Sequence, residues 1–347
     1  MLSVFRRPRG FRLVASFALV AALLPVAATP VAADTGATVL PGFRDELLWG
    51  GLQLPTAVAT TPDGSRVFVA EKRGTIRGFD GLDDPTSTLV ADLSSQVYDY
   101  WDRGLLGLTV DPDFPARPYL YALYTFDSVP WNDACPSPPG PTTNGCLAGG
   151  RLARLTLGNG GAGPVTAQTN LITDWCQQFP SHSVGSVAFG PDGALYVSGG
   201  DGASFSHPRD SGQLGSSAPG APTPVNPCND PPSQGGALRS QDIRTSGDPT
   251  GLAGTVIRVD PDTGAAWPTN DNAGLADPNA RKIIGYGLRN PFRFTFDDDG
   301  AVWVGDVGYG VWEEINEIAD PEAAAPNFGW PCYEGLEPQT SYWNSAS

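Results

Sequence analysis

VGSVAFGPDGALYVSGGD, residues 184–201, decides the fold. An apolar run enters a turn at Asp192-Gly193 and leaves as an alternating strand of apolar and aromatic residues, the strongest short-range signal for a β-hairpin. The unit recurs. Residues 54–79 turn at Asp63-Gly64, residues 105–157 at Asp111-Pro112-Asp113 and residues 288–318 at Asp299-Gly300, while the unit opened by Val184 closes with GTVIRV at Val259. Four such units, each followed by a further short strand, mark a β-propeller, in which every blade points its innermost strand at a central cavity. Residues far apart in sequence then meet in one site.

The fold class is therefore all-β. Spacing between units is uneven, because Pro-, Gly- and Ser-rich segments at 127–150 and 203–249 intervene. They read as long inter-strand loops of one domain, since blade-like sequence resumes after each. No segment sustains an amphipathic helical period, and 311–318, the best short candidate, reads better as a strand. Four blades is the lower limit for a propeller. The stretch after Trp330, rich in Pro, Ser and Asn, reads as a loop with no strand to close a ring, so further blades are expected beyond this chain.

Arg6, Arg7, Arg9 and Arg12 precede an apolar run from Leu13 to Val26 and a small-residue stretch ending at Ala33. This pattern predicts a secretory signal peptide over 1–33, with the propeller domain over 34–347 and no membrane span. Arg6-Arg7 is a weak hint of twin-arginine export. The net charge is −16 with the leader included. Its removal takes away four arginines and no carboxylate, an acidity that excludes a nucleic-acid or anionic-lipid surface. Lysine occurs only at 72 and 282.

In an exported chain the five cysteines read as disulfide partners rather than as metal ligands or nucleophiles. No CxxC pair occurs, and two histidines leave a structural zinc site little to draw on. Pairing Cys135 with Cys146 closes a short Pro-rich loop, and pairing Cys176 with Cys228 ties the third unit to the long insertion. Cys332 is left odd, with a partner expected beyond Ser347.

One of the two histidines, His182, lies just before the decisive stretch. It has two readings: a general base facing the axial cavity, or a strand-capping residue bonded to backbone. Gly199-Gly200-Asp201-Gly202 at the far end of the hairpin admits close approach of another chain or a ligand, or forms a tight turn with a solvated Asp. His207, beside Pro208, reads as exposed.

Taken in order, DRGLLGLTVDPDF (102–114), HSVGSVAFGPDGALYVSGGDG (182–202), GTVIRVD (254–260), GLRNPF (287–292), GDVG followed by WEEIN (305–316) and NFGWP (327–331) resemble the soluble quinoprotein sugar dehydrogenases, also called the glucose/sorbosone dehydrogenase family. The resemblance runs over 54–331. It implies a six-bladed propeller with about four blades in this chain, and an oxidoreductase passing hydride from a sugar to pyrroloquinoline quinone and on to an external electron acceptor. His182 would be the base that takes the sugar hydroxyl proton. Arg289 and Asn290 would lie against the quinone, and a guanidinium there suits the charge that develops on its oxygen; the other reading of Arg289 is a blade-bridging salt link. Calcium would be held by carbonyls of the turn at Gly308 and Tyr309 with Glu313 close by, since hard oxygen donors suit that ion. Asp201 would be a pocket residue. Two departures stand out: Tyr309 occupies a position where better-studied members carry Pro, and the cations that hold the quinone carboxylates come in the family from later blades.

Two other classes compete: a non-catalytic carbohydrate- or protein-binding propeller, known among animal relatives, and a calcium-dependent lactonase, which calls for several carboxylates on one axial metal. Asp260-Pro261-Asp262-Thr263-Gly264 lacks the ligands of an EF-hand and reads as a turn. No G-x-S-x-G elbow and no P-loop is present.

Overall fold

The computed structural model describes residues 40–127, 135, 146–203, 228, 230, 234–245 and 249–340. The predicted leader, His207 and most of both insertions lie outside them. Four antiparallel sheets follow one another: β1 (Pro55–Thr60), β2 (Val67–Glu71), β3 (Thr75–Phe79) and β4 (Thr88–Asp92); β5 (Leu105–Val110), β6 (Tyr119–Asp127), β7 (Ala148–Leu157) and β8 (Val165–Gln177); β9 (Val184–Phe189), β10 (Leu195–Gly199), β11 (Thr255–Val259) and β12 (Ile283–Tyr286); and β13 (Pro291–Phe296), β14 (Val302–Asp306) and β15 (Glu314–Ile318). Each sheet is a blade, and the inner strands β1, β5, β9 and β13 stand side by side. The all-β propeller holds, with four blades. The outer strands β4, β8 and β12 extend the units beyond the hairpins that the sequence marks. After Trp330 the expected loop instead contains a small hairpin, β16 (Tyr333–Glu334) paired with β17 (Glu337–Pro338).

The inner hairpin of each blade is shaped by one aspartate. Asp63 Oδ1 accepts from the Ser65 amide (3.0 Å), Asp111 from Asp113 (3.1 Å), Asp192 from Ala194 (3.1 Å) and Asp297 from Asp299 (3.0 Å). These are Asx turns, in which a short carboxylate replaces a missing backbone partner. In the fourth blade the organising residue is thus Asp297, two positions before the Asp299-Gly300 pair. A glycine completes three of the turns at φ of +70°, +81° and +88° (Gly64, Gly193, Gly300), a region that L-residues avoid.

The core lies between blades. Phe68, Ile76, Leu105 and Leu120 pack blade one on blade two; Leu123, Trp175, Val197 and Ile257 pack blade two on blade three; Tyr196, Val256, Val302 and Val304 pack blade three on blade four. Face-to-face sheets with interdigitated aliphatic side chains need no helix, and among the described residues the one sizeable helical element is a 3-10 helix, Gly236–Arg244. Among the described residues no helix is long and apolar enough to cross a membrane. The disulfides are Cys135–Cys146 and Cys176–Cys228, and Cys332 is free, the pairing that spacing predicts.

On the axis, Arg293 of β13 binds all four inner strands. Its Nη1 donates to the carbonyls of Gly185 (3.2 Å) and Phe292 (2.9 Å), and its Nη2 to those of Thr56 (3.0 Å) and Leu106 (3.4 Å). Burial pushes the guanidinium's pKa down; the four carbonyl dipoles supply the compensation. Replacing Arg293 by Ala leaves them without this donor, and the expected loss is about 3 kcal/mol in urea unfolding, from two or more charge-assisted bonds; an unchanged unfolding midpoint would show that the blades hold without the axial cation.

Candidate active site

His182 sits between β8 and β9 in the left-handed region, at φ +53°. A non-glycine residue stays there only when its surroundings hold it, and here they do. Its amide donates to Asp102 Oδ2 (3.0 Å), its carbonyl accepts from the Gly202 amide (3.1 Å), and Gly200 packs so close that a Cβ there would fall 2.4 Å from the His182 carbonyl oxygen. Close backbone approach, read from Gly199-Gly200, is what the glycine serves.

The ring is fixed as firmly as the backbone. Nδ1 lies 2.7 Å from Asp201 Oδ1, with both side chains buried. Asp201 Oδ1 also accepts from the Ala203 amide (2.9 Å), and Oδ2 accepts from Trp330 Nε1 (2.8 Å). Burial would push Asp201 up, but the charge and hydrogen bond of His182, the charge of Arg289 and the Ala203 amide together hold it below the usual carboxylate value. An ionised Asp201 takes the Nδ1 proton in its hydrogen bond and leaves Nε2 as the basic nitrogen, the tautomer that a general base requires. Asp201 is fully buried, so a solvated turn residue does not describe it.

Arg289 joins the pair through its backbone and the turn at 307–308 through its side chain. Its carbonyl accepts from the Asp201 amide (2.9 Å), and its Nη1 donates to the carbonyls of Val307 (2.9 Å) and Gly308 (2.8 Å). Its guanidinium carbon lies 5.6 Å from the Tyr309 ring centre and 5.5 Å from that of Trp330. No salt bridge to another blade occupies it among the described residues, and its buried Nε has no hydrogen-bond partner. Asp306, at the end of β14, sets this segment by accepting the amides of Arg289 (3.0 Å) and Asn290 (2.6 Å).

Asn290 lines a cavity of about 440 Å³ beside His182, together with Thr56, Lys72, Trp101, Asp102 and Ser183. Gly308, Tyr309 and Glu313 share a tight turn around a smaller space of about 230 Å³. Glu313 Oε2 accepts the Gly308 amide (3.1 Å), and a Cβ at Gly308 would fall 1.5 Å from the Trp312 carbonyl oxygen, so only glycine closes the turn. No cluster of three or more His, Cys, Asp or Glu among the described residues could hold a metal ion. The structure therefore brings His182, Asp201 and Arg289 into one connected group, puts Asn290 on the adjoining cavity, and sets Gly308 and Tyr309 against Arg289. Asp102, Asp306, Trp330 and Glu334 complete the arrangement without having been singled out from sequence. Asp102, Asp306 and Trp330 do fall inside the quoted motifs; Glu334 follows the last of them and carries no local signal.

The family described as Glucose / Sorbosone dehydrogenase matches residues 52–346. The chain belongs to this family. Its fold is similar to the PQQ-bound aldose sugar dehydrogenase of Streptomyces coelicolor (22% identity, TM-score 0.58, 83% of this chain and 66% of that one). It is also similar to a putative glucose dehydrogenase of Thermus thermophilus (25% identity, TM-score 0.58, 84% of this chain and 70% of that one). The HIPL1 protein of Arabidopsis thaliana is 25% identical over 307 residues, 79% of this chain and 40% of that protein. The chain thus spans less than half the length of the curated relatives it matches.

Burial pushes the Asp306 carboxyl up to about 7, against the two amides that favour its charge. The folded chain then keeps a proton there that the unfolded chain releases above 3.8. Its contribution to stability is complete below the unfolded value and is lost as pH rises through about 7. Urea unfolding from pH 5 to 8 is expected to show a fall in wild-type stability that Asp306→Asn flattens; parallel profiles for the two proteins would refute the assignment.

Proposed function

We propose that this protein is an exported quinoprotein oxidoreductase that oxidises the anomeric or alcohol carbon of a sugar, with His182 as general base, pyrroloquinoline quinone as hydride acceptor and calcium as Lewis acid. The observation that carries this is the buried His182–Asp201 pair, held in a left-handed turn beside a cavity and joined through backbone to Arg289. Export accords with two disulfides, which persist in oxidising compartments.

The residues fit both groups. Arg289 offers a buried donor with no partner, beside two neighbouring aromatic rings, surroundings that suit a planar, oxygen-rich group. The turn at 308–313 offers carbonyl oxygens and the Glu313 carboxylate, hard donors of the kind calcium takes; the Gly308 carbonyl, with two lone pairs, can serve Arg289 and a cation together. When bound, the quinone supplies the two-electron acceptor and calcium polarises it.

The chain's own part is proton removal and orientation. A sugar held at the adjoining cavity would give its hydroxyl proton to His182 Nε2, while the bound quinone would supply the two-electron acceptor for the hydride as the C=O bond forms. Asp201 steadies the imidazolium produced. Trp330 and the Ala203 amide keep Asp201 from turning away, so little reorganisation accompanies the transfer. Asn290, Asp102 and Ser183 border the space in which sugar hydroxyls are held.

Dye reduction by the full-length protein with the quinone and calcium, across a broad panel of aldoses and sugar alcohols, tests this reading. Sugar-dependent reduction is expected, falling about 10²- to 10⁴-fold in His182→Ala, the usual worth of a general base, and substantially in Asp201→Asn. No turnover with any sugar would refute the activity and favour a propeller adapted to recognition.

A further inference from the structure

The turn proposed to hold calcium is itself held from behind. The amides of Tyr309 (2.7 Å), Gly310 (2.7 Å), Val311 (3.0 Å) and Trp312 (3.2 Å) all donate to a single atom, Oε1 of Glu334. Four successive N–H groups converging on one oxygen form an anion nest, and here the anion is the protein's own carboxylate, buried on β16. Gln339 Nε2 donates to the other oxygen (3.3 Å).

Peptide units that turn their N–H groups toward one carboxylate turn their carbonyls away from it. On that opposite side the carbonyl of Gly308, whose peptide unit carries the Tyr309 amide, meets Arg289. Without Glu334, four clustered amides would have to find water or rotate, and the carbonyl face would lose its shape. The β16–β17 hairpin is tied down again by the Gly335 amide on Glu314 Oε1, and the Trp312 ring packs on Gly335. The hairpin thus works as a clamp on the turn, with two residues at its tip.

We infer that Glu334 is a positioning residue for the cation site: by gathering the amides of 309–312 it presents the carbonyls of the turn, and Glu313 beside them, in a fixed array to a hard divalent cation. The inference rests on the reading that this turn holds calcium. It extends that reading to a residue that touches neither cation nor substrate.

The test uses terbium as a luminescent stand-in for calcium in the full-length protein, excited through Tyr309 and Trp312, with calcium as competitor. The wild type is expected to bind terbium and release it to calcium. Glu334→Gln, which keeps the shape and removes the charge, is expected to weaken calcium about 10- to 100-fold, the usual cost of losing a residue that orients metal ligands, with unchanged circular dichroism. Glu334→Asp retains the charge at shorter reach and should recover part of the affinity; it carries the test if the Gln variant does not fold. Wild-type calcium affinity in a folded Gln or Asp variant would overturn the inference while leaving the calcium reading intact. No terbium or calcium binding by the wild type would overturn both.

Discussion

A single guanidinium on the propeller axis is the point at which the four blades meet. Arg293 reaches from β13 to carbonyls of β1, β5, β9 and its own strand, so the inner strands share one cation instead of pairing edge to edge. Blades pack through apolar faces, and apolar packing is tolerant of small rotations. Directional bonds to one planar donor are not. The axial cation therefore fixes the angle between blades, and with it the distance between residues that different blades contribute to the cavity. Thr56 and Leu106, two of its partners, also line that cavity.

Carboxylates do the corresponding work at shorter range. Asp63, Asp111, Asp192 and Asp297 each shape an inner hairpin, Asp306 aligns Arg289 and Asn290, Asp201 orients His182, and Glu334 gathers the turn at 309–312. Most of these bonds go to backbone amides, which cannot move without the chain moving. Burial would push Glu334 up, yet the amides of Val311, Gly310, Trp312 and Tyr309 hold it below the ordinary carboxylate value. Part of the acidic composition of the chain thus has a structural meaning: these carboxylates shape turns and the site.

Much of this was legible in the sequence, for identifiable reasons. Inner hairpins announce themselves through Asp-Gly turns between apolar strands, and both disulfides follow from spacing. The outer strands do not. β4 (TLVAD) has two buried residues and β8 alternates poorly, because an outer strand packs on neighbours that only the blade creates. At the site, His182 and Arg289 stand in motifs, but their partners were recognised only in space. Asp201 reads as a turn or pocket residue until the fold sets it on the His182 ring and brings Trp330, 129 positions away, onto its second oxygen. The Asp299-Gly300 dipeptide names the turn and not the residue that caps it, which is Asp297. Glu334 lies in a stretch rich in loop-forming residues, where a two-residue strand leaves no pattern at all.

The central claim is that these residues form a seat for the quinone, and equilibrium titration of pyrroloquinoline quinone into the calcium-loaded, full-length protein tests it most directly. The account predicts saturable binding of one quinone per chain that is lost with a chelator and weakened about tenfold or more in Arg289→Met, where the charged donor is gone. A folded, calcium-loaded wild type that binds no quinone would contradict it.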